Sequence, residues 1–296
     1  MNKTNVGVVG NGVVGSATAA CYQDHYVTFP LPEAPYEVRV HDSDPSRSTH
    51  TVGEVLLCDV VFVCLPTPES DLYTEGTDLS HVEEFFHYVR GVHTNLVLRS
   101  TVPIGTTRRL RDEYDLPNLV HSPEFLTART AVEDAANPRL NVLGDPDKDK
   151  KLDKTVVKIE NGGARACAQL YHDRWPGADL CYVTSDESEA VKLFMNSFFA
   201  VKVAYWNEVR HLADRLGLDY DAVREAVVAE GRVGDLHTHV PGPDSKFGFG
   251  GSCLPKDLAM LIAQMDALDL QPGVMRAARD RNELLDRPRE TNSKKE

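Results

Sequence analysis

A cysteine within a glycine-rich segment is the residue of this chain whose setting most favours covalent chemistry. Cys253 lies in the run 247–257, which contains three glycines and leads into a helix predicted to begin near Pro255. Glycines let a backbone approach a ligand closely, and a helix N-terminus favours the nucleophilic thiolate. Asp257, four residues later, falls on the same helical face, within reach of the sulfur or of a water beside it. The pattern predicts a nucleophile; the alternative is a small, buried apolar residue.

A second group of polar residues lies on a long, mostly apolar helical stretch. Lys192 and Asn196 are four residues apart, and Asn207 falls within the same arc. Such a stripe either faces water or lines a site, where Lys192 would hold an oxyanion and Asn196 would orient a hydroxyl or a water. The pair alone leaves both interpretations open.

A glycine pattern near residue 10 predicts a dinucleotide site. A short strand ends at Val9 and is followed by Gly10, Gly12 and Gly15, in the spacing GxGxxG. These glycines would permit a tight turn, close approach to a pyrophosphate and close packing of helix on strand, respectively. Asp42, at the end of the second strand, would bind ribose hydroxyls and repel a 2′-phosphate, which favours NAD over NADP. The alternative is a glycine turn in an unrelated α/β sheet.

The elements that must position these residues follow from the hydrophobic pattern. Short β-branched runs alternate with amphipathic stretches, which predicts an α/β fold around a parallel sheet. The predicted strands are Asn5–Val9, Glu37–His41, Val60–Cys64, Leu96–Ser100, Leu119–His121, Asn141–Leu143 and Asp179–Val183.

After Thr184 the pattern becomes helical. A capping box at 184–187 and apolar residues at helical spacing predict one helix of about 30 residues that ends at Gly217. A second helix is expected between Asp219 and Gly231. We predict an NAD-binding Rossmann-like domain over residues 1–184, an all-α domain with the cysteine loop over 185–286, and a polar tail over 287–296.

Composition excludes several classes of partner. The formal net charge of −13 argues against nucleic acid and against an anionic membrane, since both need a basic footprint. No apolar run reaches the ~20 residues that span a bilayer, and a strand so close to Met1 leaves no room for a signal peptide. The six cysteines form no CxxC pair, so neither disulfides nor a metal site is expected. A cytoplasmic protein with free thiols is the expectation.

Six stretches, in this order, resemble the UDP-glucose/GDP-mannose dehydrogenase family from residue 5 to about residue 265. They are VGVVGNGVVG (6–15), DVVFVCLPTP (59–68), STVPIGTT (100–107), SPEFL (122–126), ESEAVKLFMNSFFAVKVAYWNE (187–208) and GFGGSCLPKD (248–257). The resemblance implies oxidation of the C6 primary alcohol of a nucleotide sugar to a carboxylate with two NAD, as in polysaccharide biosynthesis. It implies an aldehyde that the thiol captures as a thiohemiacetal, then a thioester that water hydrolyses. It also implies a homodimer, for which the long helix has enough apolar surface.

Position by position, the resemblance implies roles for individual residues. The catalytic candidates are Cys253 as nucleophile, Lys192 and Asn196 at the oxyanion, Asp257 activating thiol or water, Glu124 in hydrolysis, and Thr101 beside the catalytic water and cofactor. The cofactor candidates are Gly10, Asn11, Gly12, Val13, Val14, Gly15, Asp42, Pro66, Thr67 and Thr101. The substrate candidates are Glu124, Phe125, Leu126, Lys192, Asn196, Phe247, Gly250 and Arg232, an arginine that would reach across a dimer. For Glu124 the alternative is a solvated loop carboxylate.

Two departures from the family pattern leave other functions open. Ala128 stands where the family usually has a second glutamate, and the sequence stops where the family continues into a domain that binds the nucleotide. A separate partner would then supply that domain. The alternatives are a non-enzymatic or partner-dependent NAD-binding remnant, and a two-electron NAD dehydrogenase of a small hydroxy acid, whose chemistry needs no thiol.

Overall fold

The computed structural model describes residues 3–23, 36–70, 76–148 and 159–288. The chain forms two compact units, Met1–Pro68 with Asp78–Lys192 and Glu69–Thr77 with Leu193–Glu296. The predicted domain boundary lies at residue 184, where the long helix begins, whereas the first two turns of that helix belong to the first unit.

The first unit contains a seven-stranded sheet in its described part. The strands are β1 (Thr4–Val9), β2 (Tyr36–His41), β3 (Val60–Val63), β4 (Leu96–Leu98), β5 (Leu119–His121), β6 (Leu140–Asp145) and β7 (Asp179–Thr184), in the spatial order β2-β1-β3-β4-β5-β6-β7. All seven predicted strands are present, with small shifts of their ends. The α/β, Rossmann-like prediction is therefore confirmed.

One strand pair departs from the predicted parallel arrangement. β5 and β6 pair antiparallel, with His121 opposite Gly144, while the other neighbouring pairs are parallel. The helix between them, α5 (Ala131–Ala136), has six residues and so advances only about 9 Å. β6 thus runs antiparallel to β5 and parallel to β7, which makes the sheet mixed.

The sheet is covered on both faces. Val60 and Phe62 pack into one apolar cluster, and Val61 and Val63 pack into another. The surrounding helices of this unit are α1 (Val13–Cys21), α2 (Val52–Val55), α3 (Ser80–Tyr88), α4 (Thr106–Tyr114) and α6 (Gly162–Arg174). β3 is therefore buried on both of its faces.

The order of the strands creates a ligand-binding edge. β1 lies between β2 and β3, so the direction of winding reverses at β1. Ligands of open α/β sheets bind at such a switch point, outside the carboxyl ends of the strands. The candidates Gly10, Asp42, Pro66, Thr101 and Glu124 each follow the carboxyl end of a strand.

The long helix α7 (Ser185–Leu216) has the predicted ends. At its start, the Glu187 carboxylate accepts from the Thr184 amide at 2.8 Å, and the Thr184 hydroxyl accepts from the Glu187 amide at 3.2 Å. At its end, Gly217 adopts a φ of 68°, which the terminating residue of a helix requires and glycine adopts without strain.

The second unit is helical. After most of α7 come α8 (Tyr220–Ala229), with Asp219 as its predicted N-cap, α9 (Leu254–Asp266), α10 (Gly273–Arg281) and a π-helical turn, Asn282–Asp286. α10 was not predicted. The predicted tail began at residue 287, but Arg287 donates to the Phe247 carbonyl and to Asp244; residues 289–296 lie outside the described part. None of the described helices is long and apolar enough to cross a membrane.

Candidate active site

The glycine turn has the geometry that a dinucleotide fingerprint requires. Gly10 has a φ of 87°, and a side chain there would meet the Cys64 carbonyl oxygen at 2.5 Å. A side chain at Gly15 would overlap the carbonyl oxygen of Gly10, whereas at Gly12 it would meet nothing within 4 Å. The predicted tight turn and close packing are confirmed. The open space at Gly12 fits a pyrophosphate on the backbone amides of Val13 and Val14 in the first turn of α1.

A carboxylate lies beside this turn. Asp42 Oδ2 accepts from the Asn11 amide at 2.6 Å, and Oδ1 accepts from the Asp44 amide at 2.9 Å. The Asn11 side chain donates to the Arg47 carbonyl at 2.8 Å. Because both its oxygens are held, Asp42 is fixed next to the glycine turn, and its remaining lone pairs suit the hydroxyls of a ribose.

The loops after β3 and β4 are joined by side-chain hydrogen bonds. The Thr67 hydroxyl donates to the Thr101 carbonyl at 2.8 Å, and the Ser100 hydroxyl donates to the Leu65 carbonyl at 2.7 Å. Pro66 lies between Leu65 and Thr67 in the loop after β3. The structure thus brings the cofactor candidates Pro66, Thr67 and Thr101 together at one edge of the sheet.

Lys192 and Glu124 form a buried ion pair in the first unit. Lys192 Nζ donates to Glu124 Oε1 at 2.9 Å and to the Glu124 carbonyl at 2.7 Å, and the residues are 4% and 6% exposed. Glu124 Oε2 accepts from the Leu126 amide at 2.6 Å, and Nζ lies 5.8 Å from the centre of the Phe125 ring. The alternatives of an exposed lysine and a solvated glutamate are therefore wrong.

Asn196 and Asp257 form the corresponding polar contact in the second unit. The Asn196 amide donates to Asp257 Oδ2 at 2.5 Å, and Lys256 Nζ donates to Oδ1 at 2.6 Å. Asp257 is only 1% exposed, and these two donors satisfy its buried oxygens. Its backbone amide donates to the Cys253 carbonyl at 2.9 Å, which closes the first turn of α9.

Cys253 is distinguished from the other cysteines by its exposure. All six cysteines lie in the described part of the chain, and Cys253 is the one that is exposed. It is the N-cap of α9, and its sulfur lies 3.8 Å from the Ser252 hydroxyl. Burial raises the pKa of the Cys21 and Cys58 thiols to about 11 and of the Cys64 and Cys167 thiols to about 12. Those four remain unreactive thiols, and the buried alternative for Cys253 is wrong.

Two asparagine side chains hold the glycine loop that precedes Cys253. Asn207 Oδ1 accepts from the Gly248 amide at 2.9 Å. Asn282 Oδ1 accepts from the Phe249 amide at 2.8 Å, and Asn282 Nδ2 donates to the Phe249 carbonyl at 3.0 Å. The Phe249 ring is buried in the apolar cluster of this unit. The loop is thus anchored by paired backbone groups and by one aromatic side chain.

The two substrate candidates in this loop have close neighbours. Phe247 stacks on His211, with ring centres 5.4 Å apart. The Arg287 guanidinium lies against Gly250, so that a side chain at Gly250 would overlap Nη1 of Arg287. Arg232, the remaining substrate candidate, is largely exposed and pairs with Glu230 at 2.7 Å.

Asn282 and Glu189 are among the residues that shape these sites and that sequence reasoning missed. Asn282 gave no usable signal, because a lone asparagine in a charged segment is common. Glu189 is 1% exposed, and its carboxylate accepts from the Gly105 amide at 2.6 Å and from the Thr107 amide and hydroxyl at 2.7 and 2.6 Å. Burial raises the pKa of Glu189 to about 7. Its position three residues before Lys192, on the polar stripe of α7, was the available signal.

Comparison with known proteins agrees with these features. Residues 36–161 match the NAD binding domain of the UDP-glucose/GDP-mannose dehydrogenase family, and residues 186–284 match its central domain. The chain belongs to this family. The resemblance inferred from the sequence is confirmed, and the first unit is an NAD-binding domain.

Individual relatives show how much of a family member the chain spans. It is 28% identical over 228 residues to the UDP-glucose 6-dehydrogenase of Campylobacter jejuni, covering 76% of this chain and 53% of that protein. It is 31% identical over 220 residues to the UDP-glucose 6-dehydrogenase of Rhizobium meliloti, covering 70% and 46%. The chain therefore spans about half the length of these curated relatives.

Solved structures give the same picture of the fold. A UDP-glucose dehydrogenase from Pyrobaculum islandicum superposes with a TM-score of 0.74 at 26% identity, over 95% of this chain and 68% of that chain. A 3-hydroxyisobutyrate dehydrogenase from Mycobacterium tuberculosis superposes with a TM-score of 0.65 at 18% identity, over 94% and 92%. The second likeness shows a shared fold.

Proposed function

We propose that this chain oxidises the C6 primary alcohol of a nucleotide sugar to the carboxylate, with NAD as oxidant and Cys253 as nucleophile. The observation that carries the proposal is the setting of Cys253. Its thiol is exposed at the N-cap of a 13-residue helix, directly after an anchored glycine loop. An aldehyde oxidation that proceeds through a thioester needs an accessible sulfur of this kind.

The proposed reaction has two oxidations and one hydrolysis. When bound, in two successive binding events, NAD would supply the hydride acceptor for each oxidation. The alcohol loses a hydride and a proton to become an aldehyde, and Cys253 Sγ adds to the aldehyde carbon to form a thiohemiacetal. Loss of a second hydride and of the hydroxyl proton gives a thioester. Water then attacks the thioester carbon, the C–S bond breaks, and the thiol and the carboxylate are released.

Residues of each unit have separate proposed roles. In the first unit, Lys192 is held by Glu124, so its charged nitrogen is oriented to stabilise an oxyanion without reorganisation. In the second unit, Asn196 and Lys256 hold Asp257, which would accept the proton of the thiol or of the attacking water. Glu124 would assist hydrolysis from its position beside Lys192.

The test is the number of NADH molecules formed per sugar. The protein is incubated with NAD and a panel of UDP- and GDP-sugars, and absorbance of NADH is followed to completion. Two NADH per sugar is the expected result. One NADH would instead support a two-electron dehydrogenase, and none, with NAD still bound, would support an NAD-binding protein without this activity.

A serine substitution tests the role of the sulfur. Cys253→Ser should abolish the second oxidation, because an oxygen ester intermediate forms and hydrolyses far less readily. Cys181→Ser, at a half-buried cysteine elsewhere, is the matched control and should keep wild-type turnover. Full two-step turnover by Cys253→Ser would refute the mechanism.

We also propose that the protein is a homodimer that pairs through α7. Five large apolar side chains along this helix are each more than half exposed: Phe194, Phe198, Tyr205, Leu212 and Leu216. An exposed apolar stripe made of several large side chains favours association. Sedimentation velocity of wild type and of Phe198→Asp tests this, since the charge should shift the protein toward monomer.

A further inference from the structure

A cavity in the first unit lies against the first turn of α1. Its volume is about 640 Å³, and it is lined by Val13 and Ser16 of α1, by residues 128–133, and by Ala136 and Asn137. Val13 belongs to the helix start where the glycine turn would place a pyrophosphate. The cavity therefore adjoins the phosphate position of the proposed NAD site, and its other wall is formed by residues 128–130 and by α5.

Charged groups are few in this cavity. Among its lining residues, Arg129 is the one cation and Glu133 the one anion. The Arg129 side chain is exposed and has no hydrogen-bond or ion-pair partner among the residues that the structure describes. The first turn of α1 has no acidic residue. Arg129, whose guanidinium is unpaired, thus lines the same cavity as the first turn of α1.

The turn that carries Arg129 is held in place. The Thr130 amide donates to the Thr127 carbonyl at 2.9 Å. Asp134 Oδ2 accepts from the Thr127 amide and from the Thr130 hydroxyl, each at 2.8 Å. The backbone on both sides of Arg129 is therefore fixed, and the entropy lost when its side chain binds an anion is limited to the side chain itself.

The negative charge of the whole chain means that a local cation would favour binding of an anionic dinucleotide. With a formal net charge of −13, the protein repels a dinucleotide that carries two phosphate charges. A guanidinium can offer two parallel N–H donors to phosphate oxygens, and such charge-assisted hydrogen bonds are roughly twice as strong as neutral ones. We propose that Arg129 is a cofactor-binding residue whose guanidinium binds the pyrophosphate of the dinucleotide at the first turn of α1. This inference rests on the NAD requirement of the proposed function.

The test is the affinity of the full chain for three ligands, measured by calorimetry: NAD, ADP-ribose and adenosine. Arg129→Ala should weaken NAD and ADP-ribose about tenfold, the effect of losing one charge-assisted contact, and leave adenosine unchanged. The affinities of Arg129→Lys should lie between those of wild type and Arg129→Ala, because lysine keeps the positive charge but lacks the two parallel N–H donors of the guanidinium. The control Arg139→Ala removes an exposed arginine of the same unit that does not line the cavity, and it should bind all three like wild type.

Salt provides a second readout. The difference between wild type and Arg129→Ala should shrink as salt rises from ~0.1 to ~1 M, because the screening length falls from about 10 to 3 Å. Equal NAD affinity of wild type and Arg129→Ala, or an equal loss with adenosine, would overturn the assignment of Arg129 while leaving the proposed function standing. Failure of the wild-type protein to bind NAD would refute both.

Discussion

The anchoring of the glycine loop by Asn282 leads to a quantitative prediction. Asn282→Ala removes one acceptor from the Phe249 amide and one donor from the Phe249 carbonyl, and both hydrogen bonds are buried. A buried backbone group left unpaired costs about 1–3 kcal/mol. The substitution should therefore lower the free energy of unfolding by about 2–6 kcal/mol, a large part of the roughly 5–15 kcal/mol typical of a domain.

Urea unfolding followed by circular dichroism measures this loss. Asn137→Ala is the matched control, because the Asn137 side chain also donates to a carbonyl, that of Glu133, but in an exposed setting. We expect the control to change the free energy of unfolding by less than about 0.5 kcal/mol.

Hydrogen exchange locates the effect. In Asn282→Ala the Phe249 amide has lost its acceptor, so peptides that contain residues 247–253 should exchange faster, while the sheet of the first unit exchanges as in wild type. If the stability and the exchange of this loop both match those of Asn137→Ala, the claim that Asn282 holds the loop is refuted.

Three further predictions concern other contacts. Gly250→Ala should displace the Arg287 guanidinium and lower the free energy of unfolding by about 1 kcal/mol, since Arg287 is partly exposed and can move. In an Arg287→Ala background the same substitution should change it by almost nothing. A double-mutant cycle in urea measures this coupling, and its absence would show that the overlap is harmless. Gly15→Ala should abolish NAD binding in titration calorimetry, because its side chain would overlap the Gly10 carbonyl; wild-type affinity would contradict the role of this glycine. Burial lowers the pKa of His121 to about 3, below its unfolded value of about 6.5. The stability that depends on neutral His121 is thus complete above pH 6.5 and is lost as pH falls toward 3, so the free energy of unfolding drops by on the order of 2 kcal/mol by pH 5. The free energy of unfolding of His121→Gln should therefore fall less steeply than that of wild type between pH 7.5 and 5. Equal slopes for the two proteins would contradict this.

Local patterns in the sequence determined most of the elements. Each strand was visible as a short apolar run, and the capping box at Thr184 and Glu187 involves groups three residues apart. The roles of Gly10 and Gly15 could be assigned because a turn imposes its backbone requirements on the residues that form it. These features depend on neighbouring residues, so spacing alone reveals them.

Contacts between distant residues could be decided only by the tertiary structure. Glu124 and Lys192 are 68 residues apart, and Phe249 and Asn282 are 33 apart. Spacing does not say which buried polar groups will meet, because the meeting depends on strand order and helix packing. The antiparallel pairing of β6 with β5 and the position of the unpaired Arg129 beside α1 likewise depend on how the elements pack. Local sequence preferences determine which helices and strands form. The contacts of the site are determined by the tertiary structure, because each buried polar group must find a partner among the residues that the fold brings close to it.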